Sequence, residues 1–209
     1  MPSLRGFGFP GIVAIIVILG AGVAGGPLVA GLLILLWVRL SGTPWREIGY
    51  VRPTIAGVGI AVVLGIAFKL LLKSIVMPLL GADPVNHAYH YLAGNRAAIP
   101  GMLFAIVIGA GFGEETFFRG WMFERLGKLR VPKTAIAIVS ATLFGLAHYA
   151  MQGLAGSEQA AIVGLVFGAV FLKSGSLFPL MCAHVAFDLT ALALIYSELE
   201  TRVAHSLGL

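Results

Sequence analysis

The chain has 209 residues, 59% of them hydrophobic and only 11% charged, with a formal net charge of +5. A soluble domain of this length is roughly half apolar and a quarter charged, so a mean hydropathy of +0.98 argues against a soluble globular protein and for a polytopic helical membrane protein. A single cysteine, Cys182, excludes an internal disulfide and any zinc cluster built from cysteines.

In chain order, apolar runs predict seven spans, at roughly 9–24, 27–41, 54–81, 98–125, 133–150, 157–173 and 177–197. The fold class expected is therefore all-α, a bundle of about seven transmembrane helices around a polar cavity, forming one integral membrane domain over 1–209. Arg5, the run Ile12 to Leu19 and the small residues of AGVAGG mimic a secretory signal peptide, but a second apolar segment follows at once, which favours an uncleaved first span. Gly25-Gly26-Pro27 separates the first two spans, and the shortness of the second leaves a re-entrant or kinked unit open. The connector SGTPWREIGYVRP places Trp45 and Tyr50 at the depth of an interfacial aromatic belt. The 82–97 loop carries Asp83, His87, His90 and Arg96.

Charge orients the bundle. The connections on the N-terminal side hold Arg5, Arg39, Arg46, Arg52, Arg125, Lys128, Arg130, Lys133 and Lys173, whereas the opposite side keeps Arg96 and Arg202. Cytoplasmic loops carry the excess of Lys and Arg, so the N-terminus is expected in the cytoplasm. The basic balance thus belongs to the bilayer, and no nucleic-acid partner is expected.

Within the spans remain Lys69, Lys73, Glu114, Glu115, Arg119, His148, His184 and Asp188. Charges at bilayer depth cost about 2.5–3.5 kcal/mol each even on the forgiving insertion scales, so their default reading is functional. For Lys69 and Lys73 the expectation is plainer: a long third span reaching an interface, where both can snorkel. Helical rise puts Glu114 roughly 16 Å, His148 roughly 22 Å, His184 roughly 10 Å and Asp188 roughly 16 Å from the N-terminal side. Three separate helices thus bring acids and imidazoles to a similar depth, given span boundaries good to several residues. Glu115 and Arg119, four apart, can pair along one helix face, while Glu114 points about 100° away, toward an open site. His184 and Asp188 repeat the spacing, as do Phe144 and His148. Gly109, Gly111 and Gly113 either admit a neighbouring helix or leave room for a substrate. A buried polar network that fixes packing is the structural alternative, although each interhelical hydrogen bond adds only about 0.6–2 kcal/mol.

Three motifs carry a resemblance. Glu114-Glu115-x-x-x-Arg119, Phe144-Gly-Leu-Ala-His148 and His184-Val-Ala-Phe-Asp188 resemble, in order, the motifs of the CAAX protease and bacteriocin-processing group (CPBP, also called Abi), type II CAAX prenyl endopeptidase-like intramembrane proteases of glutamate type. The resemblance covers about 99–197, the expected catalytic core. It implies a hydrolase with a conical helical bundle, a cavity open to cytoplasm and lipid, and an integral multi-pass location in the cell membrane. It further implies that Glu114 is a general base activating water held with His148, that Glu115 and Arg119 orient the site, and that His184 with residue 188 stabilises the oxyanion. The prenyl-processing branch is expected to carry Asn where this chain has Asp188, and an Asp donates to an oxyanion only when protonated. No cofactor or metal is implied. The substrate would be a membrane-associated peptide or protein, lipidated or not.

Two other readings stand beside it. Glu114, His148, His184 and Asp188 could hold Zn²⁺ in a membrane metalloprotease, although no H-E-x-x-H pair is present. A non-catalytic immunity or scaffold protein, or a small transporter, could also use buried acids, but no broken helices recur in matching halves of the chain.

Overall fold

The structure is a computed structural model, and it describes residues 1–206. Among these residues there is no β-strand. Five helices, Phe9–Ser41, Ile55–Leu79, Arg96–Lys128, Lys133–Ser174 and Leu177–Tyr196, are long and apolar enough to cross a membrane. Two of the five are each a pair of helices joined through one non-helical glycine.

Those two glycines determine the architecture. Gly26 has φ 76° and ψ 179°, and Gly153 has φ 65° and ψ −164°, a conformation that is essentially glycine's alone. The flanking helices fold back on each other. Around Gly26, Ile18 clusters with Ile34 and Trp37, and a Cβ at Gly22 would lie 3.6 Å from that of Ala30. Around Gly153, the Ser157 hydroxyl donates to the Gly145 carbonyl at 2.9 Å, and a Cβ at Gly164 would lie 2.8 Å from the Ala141 Cα. Each pair is an antiparallel hairpin. The membrane helices are therefore α1 (9–25), α2 (27–41), α3 (Ile55–Leu79), α4 (Arg96–Lys128), α5 (133–152), α6 (154–174) and α7 (Leu177–Tyr196), and a short α8 (Leu199–Ser206) follows.

Lengths are informative. At 1.5 Å per residue α1 and α2 reach roughly 25 and 22 Å, short of the hydrocarbon thickness of about 30 Å. Irregular backbone at membrane depth persists only where it is buried in protein or lines a cavity. Gly25 and Pro27 beside the Gly26 turn do line one.

Packing follows small residues. α3 and α7 run parallel and touch so closely that a Cβ at Gly65 would lie 2.2 Å from the Ala183 carbonyl oxygen. α4 passes α2 at Gly113, where a Cβ would meet the Pro27 carbonyl oxygen at 2.5 Å, and α7 at Gly111, where it would meet Val185 at 2.4 Å. Gly109 has nothing within 4 Å and faces the cavity instead. The two roles open for this glycine row are thus divided among its members. Trp121 is buried with Ile34 and Trp37, and Phe118 stacks edge-on against Phe144 at 4.9 Å, so these aromatics belong to the protein interior.

Charges at the N-terminal end knit the connections together. Arg5 pairs with Glu47, and Arg125 donates to the Glu124 carboxylate at 2.5 Å and to the Arg5 carbonyl at 2.9 Å. The Glu47 carboxyl is held below its ordinary range, first by its hydrogen bond from Arg5.

Candidate active site

α4 carries the acids, and it is not an ordinary α-helix there. Residues Ala105–Glu114 and Thr116–Trp121 are π-helical, with the widened i→i+5 turn that is rare and concentrated at functional sites. The wider turn reduces the angle between successive residues below the α-helical 100°. Glu114 and Glu115 both approach the same imidazole.

That imidazole is His184 of α7. Its Nδ1 donates to Glu115 Oε1 at 2.7 Å, and its Nε2 lies 3.9 Å from Glu114 Oε2 and 3.8 Å from Asp188 Oδ2. Arg119 Nη1 donates to the same Glu115 oxygen at 2.9 Å. Glu115 and Arg119 are fully buried, and the guanidinium lies against the faces of Phe144 at 4.5 Å and Phe167 at 5.6 Å. Glu115 therefore joins a cation and an imidazole in the packed interior.

Glu114 differs from its neighbour. It lines a cavity of 340 Å³ together with His148, His184 and Asp188. Its Oε2 is buried and has no hydrogen-bond partner, an arrangement that native interiors rarely leave without a purpose.

His148 closes the site from α5. Its Nδ1 approaches the Phe144 carbonyl oxygen at 2.8 Å. A carbonyl can only accept, so Nδ1 carries the hydrogen, and in the neutral ring Nε2 keeps its lone pair. Phe144 stacks on His148 at 4.6 Å and on His184 at 6.0 Å between ring centres, which fixes how the two imidazoles sit. All six residues singled out in the sequence, on α4, α5 and α7, thus gather in one region.

Other side chains here were not legible beforehand. Tyr50, from the connector, bonds through its hydroxyl to the Thr116 hydroxyl at 2.8 Å and braces α4 beside the acids. Tyr89, Gln152 and Gln159 line the cavity, with Gln152 donating to the Tyr89 hydroxyl at 3.1 Å. Lys69 does not snorkel. It is 5% exposed, donates to Gln159 at 3.0 Å, lies 4.9 Å over the Phe187 ring and lines the cavity. The amide acceptor and the ring face compensate for the interface it does not reach. Lys73 pairs with Glu200 at 2.5 Å. Ser140 donates to the Phe118 carbonyl.

The cavity is lined from one end of the bundle. Its lining comes from the Gly26 turn, from the 86–92 segment, from the halves of α4, α5, α6 and α7 that lie at that end, and from Lys69 of α3. The N-terminus, with its bond to the Leu40 carbonyl, lies at the other end.

Among the described residues no group of three His, Cys, Asp or Glu side chains converges with a geometry that could hold a metal ion. Glu114, His148, His184 and Asp188 share a cavity, yet three of the ring and carboxylate contacts around His184 are hydrogen-bonded or near-contact pairs within the protein.

Fold and site together define an all-helical membrane protein with an acid–imidazole cluster at the bottom of an intramembrane cavity. Residues 96–190, just under half of the chain, match the family described as type II CAAX prenyl endopeptidase Rce1-like. The matched segment contains all three motifs and agrees with the resemblance they carry. No curated protein and no solved structure matches the chain.

Proposed function

We propose that the protein is an intramembrane endopeptidase of glutamate type that hydrolyses a peptide bond of a membrane-associated substrate. The observation that carries this reading is the contrast within one dipeptide: Glu115 is locked between Arg119 and His184, while Glu114 presents a buried, unpaired oxygen to the cavity.

The chemistry follows from the donors and acceptors available. Water held between Glu114 and the lone pair of His148 Nε2 gives one proton to the Glu114 carboxylate as its oxygen attacks the carbonyl carbon. The C=O electron pair moves onto oxygen. His184 in its imidazolium form, with Nδ1 committed to Glu115, directs Nε2–H to that oxyanion. Asp188, 3.8 Å from the same nitrogen, acts by keeping His184 cationic and oriented. Glu114 then passes its proton to the departing amine, and a new carboxyl terminus and a new amino terminus are released. No covalent enzyme intermediate is formed, and neither Ser140 nor Cys182 takes part.

The cavity volume suits a few residues of extended peptide, and its polar lining from Tyr89, Gln152 and Gln159 suits backbone groups rather than a wholly apolar ligand. Whether the substrate carries a lipid is decided by the peptide itself, so the test begins there. Membrane peptides from cells holding wild-type protein are compared by mass spectrometry with those from cells holding Glu114→Ala. A peptide that is longer only in the variant supports the proposal and identifies the bond cut. Identical peptide sets at equal expression overturn it.

A further inference from the structure

We infer that the cavity opens on the face of the membrane away from the cytoplasm, and that its substrate is a membrane-associated peptide whose susceptible bond is presented on that outer face. The inference rests on reading the cavity as the reaction site, but its test does not depend on cleavage.

Two independent observations carry it. The first is the distribution of charge over the folded bundle. The end bearing the N-terminus, the 42–54 connection, the 129–132 connection and the 175–176 turn holds nine Lys and Arg residues with Glu47 and Glu124 as its acids. The opposite end, with the Gly26 and Gly153 turns, the 80–95 connection and α8, holds Lys73, Arg96 and Arg202 against Asp83, Glu158, Glu198 and Glu200. A net of +7 faces a net of −1, and short loops with the basic excess stay in the cytoplasm.

The second observation is the direction of the cavity. Every helix that lines it does so with residues between mid-membrane and the less basic end. α5 contributes Phe144, His148 and Gln152, which run from the interior up to the Gly153 turn, and α7 runs the same way from His184 to Ile195. The 86–92 segment outside the spans forms its rim with Asn86 and Tyr89. No residue of the basic end takes part in the lining. A smaller neighbouring cavity of 180 Å³ shares Lys69, Asn86, Gln152 and Gln159 with it and extends past Lys73 and Glu200 at the same end. The aqueous route thus leads to the outer face, whereas the basic end is closed by Trp37, Trp121 and Ile48 in a packed cluster.

A cytoplasmic peptide would have to cross the bundle to reach Glu114. A peptide anchored in the outer leaflet, or exported and still attached to the membrane, reaches it directly. The polar rim fits such a segment entering as an extended chain with its backbone groups solvated or hydrogen-bonded.

Cysteine labelling in intact cells tests the inference on the full chain. In a Cys182→Ala background, three single variants are made: Tyr91→Cys on the rim segment, where the side chain is 58% exposed; Leu129→Cys at the basic end, 55% exposed; and Gln152→Cys inside the cavity. Each is treated with a charged, membrane-impermeant thiol reagent and then with a permeant maleimide carrying a mass tag. The inference expects the impermeant reagent to abolish later tagging at 91 and 152 and to leave tagging at 129 intact. Protection of 91 and 152 with loss at 129 overturns it. So does loss at 91 without loss at 152, because the cavity would then not open on that face, and so does loss at all three positions. Opening the cells before treatment must make 129 reactive to the impermeant reagent, which shows that each variant is inserted and labelled. Loss of the protease reading would leave the labelling pattern unchanged, and a reversed pattern would leave Glu114 chemistry intact.

Discussion

Glu115→Gln and Glu114→Gln change neighbouring residues by the same chemistry, and the structure predicts unequal effects on stability. Glu115 Oε1 is the hydrogen-bond acceptor of both Arg119 at 2.9 Å and His184 at 2.7 Å. The Nε and Nη2 atoms of Arg119 have no other hydrogen-bond partner. Neutralising Glu115 leaves a fully buried guanidinium without its counter-charge, which costs about 3–5 kcal/mol. The faces of Phe144 and Phe167 offset part of this, since a desolvated cation–π contact contributes about 2 kcal/mol. The expected net loss is therefore about 1–3 kcal/mol. Glu114 Oε2 makes no hydrogen bond and only a 3.9 Å contact with His184 Nε2, so Glu114→Gln removes no hydrogen bond of that oxygen and is expected to stay within about 1 kcal/mol of wild type. Chemical unfolding of the purified protein in one detergent, followed by tryptophan fluorescence, measures both. A loss at Glu114 as large as that at Glu115, or no loss at Glu115, would refute the division of labour between the two acids.

Three further outcomes follow from the same geometry. Gly113→Ala forces a Cβ to within 2.5 Å of the Pro27 carbonyl oxygen and is expected to cost about 1–3 kcal/mol, whereas Gly109→Ala meets nothing within 4 Å and should fold like wild type, which thermal unfolding of both will show. Asp188→Asn keeps a hydrogen-bonding group beside His184 and should retain cleavage within about tenfold, whereas His184→Ala should lose at least about 10²-fold in the same peptide assay. The proposal needs no metal, so cleavage by purified protein should withstand excess zinc chelator, and a loss restored by added Zn²⁺ would favour the metalloprotease reading.

Much of the fold was legible because apolar runs report spans directly. Gly25-Gly26-Pro27 marked the first reversal, yet Gly153 did not stand out, since MQGLAGS lacks a proline and the turn there needs one glycine alone. The gathering of α4, α5 and α7 was visible in the matching depths of their polar residues. What was not visible was anything set by helix geometry beyond the regular 3.6-residue turn. The π-helical stretch of α4 flanks the two glutamates that approach one imidazole, and no local sequence feature announces it. Lys69 read as an interface lysine because its compensation comes from Gln159 and Phe187, 90 and 118 positions away. Which halves of the helices line the cavity was equally hidden, because charge counts orient the chain but do not say where its polar residues converge.

The central claim is that Glu114 activates the water that cuts the peptide bond. It is tested most directly by the rate at which purified Glu114→Gln protein, folded and inserted as wild type, cleaves a peptide that wild type cleaves. General-base catalysis predicts a rate lower by about 10²–10⁴-fold. A rate equal to wild type would contradict the claim.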